Sequence, residues 1–299
     1  MPETKPLQVG VEISGIDLRR AIDPGAAAEL QRLLAEHQLI LFRDQDITPA
    51  DQIRLLGVFG NVLDEVQDGK RYQYVSGDET SVRPGRLLFH SDNHFTQVPL
   101  EVLSLYGERI GEAATPTLFV DNVEAYRRLP SELAARLDGL DVVTKSYFHL
   151  GYSDRPARSV SPEPEGGPCA RHPAVWRHPV TGAPFLYLTE LHAHHLAGLP
   201  REESDALLGA AMDAIYVPDR FYEHRWRTGD LLVWNNRTVQ HARGELTPSD
   251  GSPAAARSVR RVAVGPVGFS DQFQFAPEAL EAMQHKVDPF YGRDIGHKR

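Results

Sequence analysis

The chain has 299 residues, 41% apolar and 24% charged, with 13 His, one Cys and a formal net charge of −9. Such a length makes one large domain or two ordinary ones and builds a core without disulfides. The acidic balance leaves no basic face for a nucleic acid. The lone Cys169 excludes an intrachain disulfide and fits a reducing compartment, and no run approaches the roughly 18 apolar residues of a spanning helix.

The N-terminal MPETKPLQVGVEISGIDL lacks the apolar core of a signal peptide, so a cytoplasmic location with no membrane partner is expected. Asp23-Pro24 reads as an N-cap with Pro at the first helical position, opening a helix to about His37. The strand LILF (39–42) follows. Thr48-Pro49-Ala50-Asp51 is a near capping box for a helix ending near Phe59-Gly60. Strand-like runs then appear at 86–90, 102–110 and 117–120, and Ser131 starts a further helix. SVSPEPEGGP (159–168) is a Pro/Gly-rich loop of the kind that forms lids. Beyond it come the strand PFLYL (184–188), a helix from Pro200-Arg201-Glu202, the strand DLLVW (230–234), a loop over 244–256 and the strand RRVAVG (260–265). Many short strands with few helices predict a β-sandwich or barrel with helices packed on one side. Both loops read as insertions within one domain.

The chemistry concentrates at two places. In Leu87-Leu88-Phe89-His90-Ser91-Asp92 an imidazole and a carboxylate lie two residues apart at a strand end, and alternation puts both on one sheet face. With 13 His and 41 acidic residues in the chain, about two His-x-acid triplets arise by chance, so this single one is weak alone. A second His would complete a two-His, one-carboxylate face with open coordination positions, as non-haem iron oxygenases use. His241 follows the strand DLLVW and the turn NNRT and is well placed for it. Downstream, Arg257 and Arg261 lie four residues apart in ARSVRRVAVG. An inward guanidinium there would hold a carboxylate in its fork. Arg260 falls on the opposite face from Arg261 unless a bulge intervenes. A solvated strand edge is the plainer reading of this Arg run.

Five segments in order carry a resemblance: LILFRDQDITPADQ, FHSDNHF, TPTLFVDNVEAYRRLP, ARHPAVWRHPVTGAPFLYL and WRTGDLLVWNNRTVQHA. From about residue 7 to 268 the chain resembles the taurine dioxygenase and phenoxyacetate dioxygenase family. The resemblance implies a mainly β fold, a double-stranded β-helix or jelly roll with flanking helices, and a single oxygenase domain over 1–299 with a C-terminal extension from about 270. It implies Fe(II) held by His90, Asp92 and His241, and 2-oxoglutarate gripped at its distal carboxylate by Thr117 and Arg257. Arg261 matches the Arg that holds the substrate anion in the family's sulfonate and carboxylate users, and Asn93 and Phe95 fall where the family lines the substrate pocket. The expected activity is oxidation, by default hydroxylation, of a small anionic molecule by O2, with 2-oxoglutarate converted to succinate and CO2. A homo-oligomer is compatible with the resemblance. Asn235 stands where the family usually has Asp, and the loop before Arg257 is longer than in the taurine enzymes. NVLDEVQDG (61–69) replaces a His-rich, sulfonate-contacting stretch, so its acids Asp64, Glu65 and Asp68 argue against taurine and could meet an amine.

A zinc hydrolase using the same ligands and a non-catalytic jelly-roll binding protein are the competing classes. His192, His194 and His195 read as loop or helix entry rather than a metal cluster. His94 either reaches the substrate or points away. His172 and His178, each before Pro, read as loop-fixing or packing residues. Trp176 and Trp226 read as core, and Tyr72, Tyr74, Tyr147 and Phe148 as pocket candidates.

Overall fold

The computed structural model describes residues 3–65, 68–76, 85–145, 169–246, 256–268 and 271–272. In chain order the elements are β1 (Glu3–Pro6), β2 (Val11–Ser14), α1 (Pro24–His37), β3 (Leu39–Phe42), α2 (Pro49–Leu56), β4 (Gln73–Ser76), β5 (Gly85–His90), β6 (Val102–Ile110) and β7 (Thr117–Asp121). They continue with α3 (Asn122–Arg127), α4 (Ser131–Leu137), β8 (Asp141–Lys145), β9 (Cys169–Pro173), β10 (Val175–Arg177), β11 (Pro184–Leu186), β12 (Ala193–Leu196), α5 (Arg201–Ile215), β13 (Tyr222–His224), β14 (Leu231–Asn235), β15 (Val239–Leu246) and β16 (Arg257–Val264). The segment 159–168, most of 244–256, Tyr147, Phe148 and nearly all of the C-terminal extension lie outside the described residues.

Two sheets form the body. The larger has strand order β1-β2-β3-β14-β6-β16-β4, the smaller β13-β7-β15-β5. Their inner faces meet over Leu39, Leu41, Leu103, Phe119, Trp234, Val239 and Val259, which makes the jelly roll. Because β3 is apolar at all four positions, it serves two cores: Leu39 and Leu41 face the inter-sheet space, Ile40 and Phe42 the helices outside.

The helices cover both outer faces, not one. α1 and α2 lay Leu30, Leu33, Leu34, Leu55 and Leu56 on the outer side of the larger sheet, whereas α3, α4 and α5 pack against Phe89, Val120 and Ala242 of the smaller one. Each such Leu, fully buried, contributes roughly 1.5–3 kcal/mol. The reason is alternation: Phe89, Val120 and Ala242 point away from the inter-sheet space and need their own cover. The helix starts follow the capping chemistry. Asp23 Oδ1 accepts from the N–H groups of Gly25 and Ala26, and Thr48 and Asp51 close a reciprocal capping box. The His192–His195 segment, expected as a loop or helix entry, contributes β12, which pairs with β8.

Candidate metal centre

β15 lies between β7 and β5 in the smaller sheet, and its register sets the site. His241 pairs directly with His90 across the strands, with ring centroids 4.2 Å apart. Alternation turns Val239, His241 and Arg243 inward, while Gln240 and Ala242 face the helices. The sequence reading put His90 and Asp92 on one sheet face through alternation; strand β5 instead ends at His90, so alternation does not place Asp92. A turn follows, with Asn93 in the left-handed region at φ 55°, and this turn brings the carboxylate back over the imidazoles. Asp92 Oδ1 stands 3.2 Å from His90 Nε2 and 3.5 Å from His241 Nε2.

The fit to a metal ion can be tested from these distances. Bonds of about 2.0–2.2 Å at right angles place neighbouring donors about 3 Å apart, close to what the side chains adopt. The three donors lie within 4.8 Å of one another, the one such cluster among the described residues. His90 Nδ1 donates to the Leu88 carbonyl at 2.8 Å, which leaves Nε2 with a lone pair aimed at the centre. Burial, reinforced by the neighbouring His90, pushes His241 down to about 3, so its imidazole is neutral and could offer a lone pair to an ion. Burial alone would raise the Asp92 carboxyl, but Arg261, His90 and His241 together hold it well below the usual carboxylate range.

A second feature lies alongside. Thr117, at the start of β7, faces Arg243 across the ladder. Its Oγ1 receives hydrogen bonds from Trp226 Nε1 at 2.9 Å and from Arg257 at 3.2 Å. The Arg257 guanidinium lies 5.6 Å from the Trp226 ring centroid, and its Nε is buried without a hydrogen-bond partner. Burial and the nearby charge of Arg243 pull Arg257 down to about 10. A buried, repelled guanidinium with a hydroxyl beside it has the chemistry to receive a carboxylate. Trp226, expected as core, thus helps to orient Thr117. Trp226 is core as read, but its bond to Thr117 escaped the sequence reading, as did Arg243, although alternation from His241 points to Arg243.

Arg261 also faces inward, on the side of β16 that carries Val259 and Ala263, and reaches Asp92 at 2.8 Å and Glu65. Arg260 lies on the opposite face, held by Gln52, Glu108 and the Ile47 carbonyl. The register shift falls on β6, where Glu108 is skipped between the partners of Ser258 and Val259, so alternation along β16 survives. Phe95 is fully buried, edge-on to His192 with centroids 5.1 Å apart. Asn93 is half-buried in the turn beside Asp92. His94 packs on Tyr187 and lies 3.2 Å from the Thr189 hydroxyl. His178 Nδ1 accepts from the N–H groups of Val180 and Thr181, fixing their turn. Tyr72 packs against the helix-side core and Tyr74 is 40% exposed.

Two asparagines hold the site together. Asn235 Oδ1 accepts from the N–H groups of Arg237 and Thr238, forming the turn into β15. Asn236, fully buried, clamps the Asp92 backbone: its Oδ1 accepts from Asp92 N–H at 2.9 Å and its Nδ2 donates to the Asp92 carbonyl at 3.0 Å.

Comparison with known proteins agrees with this geometry. Residues 3–263 match the family model "Taurine catabolism dioxygenase TauD, TfdA family". The alpha-ketoglutarate-dependent 2,4-dichlorophenoxyacetate dioxygenase of Cupriavidus pinatubonensis is 30% identical over 256 residues, covering 77% of this chain and 86% of that protein. The (S)-phenoxypropionate/alpha-ketoglutarate-dioxygenase of Sphingobium herbicidovorans is 28% identical over 254 residues, covering 81% and 87%. The crystal structure of AAD-2 in complex with Mn(II) and N-oxalylglycine superposes with a TM-score of 0.72 at 25% identity, over 89% of this chain and 98% of that one. The chain belongs to the TauD, TfdA family and is an Fe(II)- and 2-oxoglutarate-dependent dioxygenase.

Proposed function

We propose that this enzyme hydroxylates a small organic substrate carrying an anionic group, with His90, Asp92 and His241 as the iron ligands. The observation that carries the ligand assignment is the convergence of two Nε2 atoms and one carboxylate oxygen within 4.8 Å. When bound, iron and 2-oxoglutarate supply the oxidising power, with 2-oxoglutarate converted to succinate and CO2 as the substrate is oxidised. The residues divide the remaining work. His90 and His241 present neutral nitrogens on one side, which leaves coordination positions open on the other. Thr117 and Arg257 receive the distal carboxylate of 2-oxoglutarate, satisfying a guanidinium that burial otherwise penalises. Asn93 and Phe95 border the substrate space, and Phe95, with its aromatic neighbour His192, helps to exclude water from it. Arg261 orients the substrate anion. The anionic class is supported by the inward course of Arg261 and by the acetate and propionate named in the relatives' substrates.

Anaerobic visible spectroscopy tests the assignment. Adding 2-oxoglutarate to the Fe(II) protein should give a charge-transfer band, abolished in His90→Ala. In Arg257→Met the band should persist but require about 10–100 times more 2-oxoglutarate, the equivalent of one lost charge-assisted contact. A full band in His90→Ala would remove that residue from the ligand set, and an unchanged titration in Arg257→Met would remove Arg257 from the co-substrate site.

A further inference from the structure

Arg261 has no idle side. Its Nε and NH2 meet Asp92 Oδ2 at 2.9 and 2.8 Å, its NH1 donates to Glu65 Oε2, and its NH2 lies 3.4 Å from Glu65 Oε1. Both members of the outer pair are largely shielded, with side chains 11% and 10% exposed. Burial would lower the Arg261 guanidinium, yet Glu65 and Asp92 more than offset it and hold the group above its ordinary value.

The placement of Glu65 is built into the backbone. The loop that carries it is tied to β16: Val62 bridges Val264, Leu63 N–H donates to the Ala263 carbonyl, and Gly265 N–H donates to Asn61. The neighbouring acids are occupied elsewhere. Asp64 accepts from the N–H groups of Asp68 and Gly69, and Asp68 pairs with Lys70 at 3.2 Å. Of the three acids in this stretch, Glu65 is the one joined to Arg261.

This sets a charge problem for any substrate that binds through Arg261. With the Asp92 charge engaged by the metal centre, Arg261 and Glu65 already form a balanced ion pair before a substrate arrives. A simple monoanion takes the outer N–H groups only by displacing Glu65. That strands one carboxylate beside another in a largely dry site, which is costly. A molecule with an ammonium group close to its anion removes the conflict: the anion takes the N–H groups that Glu65 releases, and the ammonium takes Glu65. We propose that Glu65 is a specificity-determining residue that receives the ammonium group of a zwitterionic, amino-acid-like substrate. This rests on the reading of Arg261 as the anion site and adds the second pole of the ligand.

The test uses matched trios that share a side chain, each partner lacking either the amine or the carboxylate: norleucine, hexanoate and pentylamine, then phenylalanine, 3-phenylpropanoate and phenethylamine. Each is titrated anaerobically into the protein with Fe(II) and 2-oxoglutarate, read by the shift of the charge-transfer band and by calorimetry, then by succinate release in air. In at least one trio the amino acid should bind ten times or more tighter than either partner. Glu65→Gln should weaken the amino acid about tenfold and tighten the carboxylate, collapsing the preference. Glu65→Asp, which keeps the charge, should retain part of it and serves if Glu65→Gln does not fold. Carboxylates that bind the native protein as well as amino acids do, or a preference unchanged in the Glu65 variants, would overturn the role of Glu65 while leaving Arg261 as the anion site. Amines binding as tightly as amino acids would overturn both readings. Binding by no member of either trio would overturn the amino-acid class.

Discussion

Asp92 reaches the two imidazoles because its own backbone is held, and Asn236 holds it. Both Asn236 side-chain hydrogen bonds to Asp92 span 144 residues, and its Nδ2 also reaches the Leu100 carbonyl at 3.3 Å. The amide therefore ties the turn after β5 to the turn before β15, the two segments that bring His90, Asp92 and His241 together. Replacing Asn236 by Ala leaves buried backbone groups without partners and frees the Asp92 turn to relax. Groups that orient metal ligands typically cost 10–100-fold in metal affinity when removed. Asn236→Ala should accordingly weaken Fe(II) binding by about that range in a competition titration with a chromophoric chelator. It should retain the 2-oxoglutarate band once iron is saturating. Unchanged iron affinity would reduce Asn236 to a purely structural part.

At the scale of elements, the candidate ligands could be picked out in the sequence and their convergence could not. His90 and His241 could be placed at strand ends from the apolar runs RLLFH and DLLVW. That β15 would lie between β5 and β7, opposite both His90 and Thr117, depends on pairings between segments more than a hundred residues apart. No local pattern encodes such a register. The helices on both faces were misjudged for a related reason, since a strand that is apolar on alternate positions announces a buried face without saying how many layers cover it. The same limit hid the network that braces β14. Asp230, buried just before that strand, accepts from Arg43 at 2.6 Å and from Arg227 N–H at 2.9 Å, and lies 3.1 Å from His224 Nε2. Burial alone would raise the Asp230 carboxyl, but His224 and Arg43 hold it below its ordinary value. Removing one member of a buried pair strands the other, at about 3–5 kcal/mol. Asp230→Ala should therefore lower the urea midpoint by an amount equivalent to that range. A shift under about 1 kcal/mol would mean that water replaces the carboxylate freely.

For the whole molecule, the buried histidines set an acid limit, to which His241, depressed to about 3, adds in the same window when no metal is bound. His172, His178 and His224 are buried and lie away from the ligand set. Burial depresses each below the ordinary 6.5; the charge of Arg237 adds to this at His178, while the adjacent Asp230 carboxylate, which accepts from and attracts a protonated imidazole, opposes it at His224. The sign follows from linkage. In the unfolded chain these imidazoles regain protons as pH falls through about 6.5, whereas in the folded protein they stay neutral to lower pH. The unfolded state then binds more protons, so stability is complete above about 6.5 and is lost progressively below it. Each group contributes at most about 1.4 kcal/mol per pH unit in that window. Depressed carboxylates such as Asp230 act in the same direction, but below about pH 4, so the two effects separate. Urea unfolding of the metal-free protein should thus show a plateau from pH 8 to 7 and a fall of roughly 1–3 kcal/mol per unit between pH 6.5 and 5.5. In the double variant His172→Gln, His178→Gln the slope in that window should drop by up to two protons' worth. A native profile flat across pH 7.5 to 5.5 would show that these imidazoles protonate within the fold, with water or a backbone carbonyl taking up the charge.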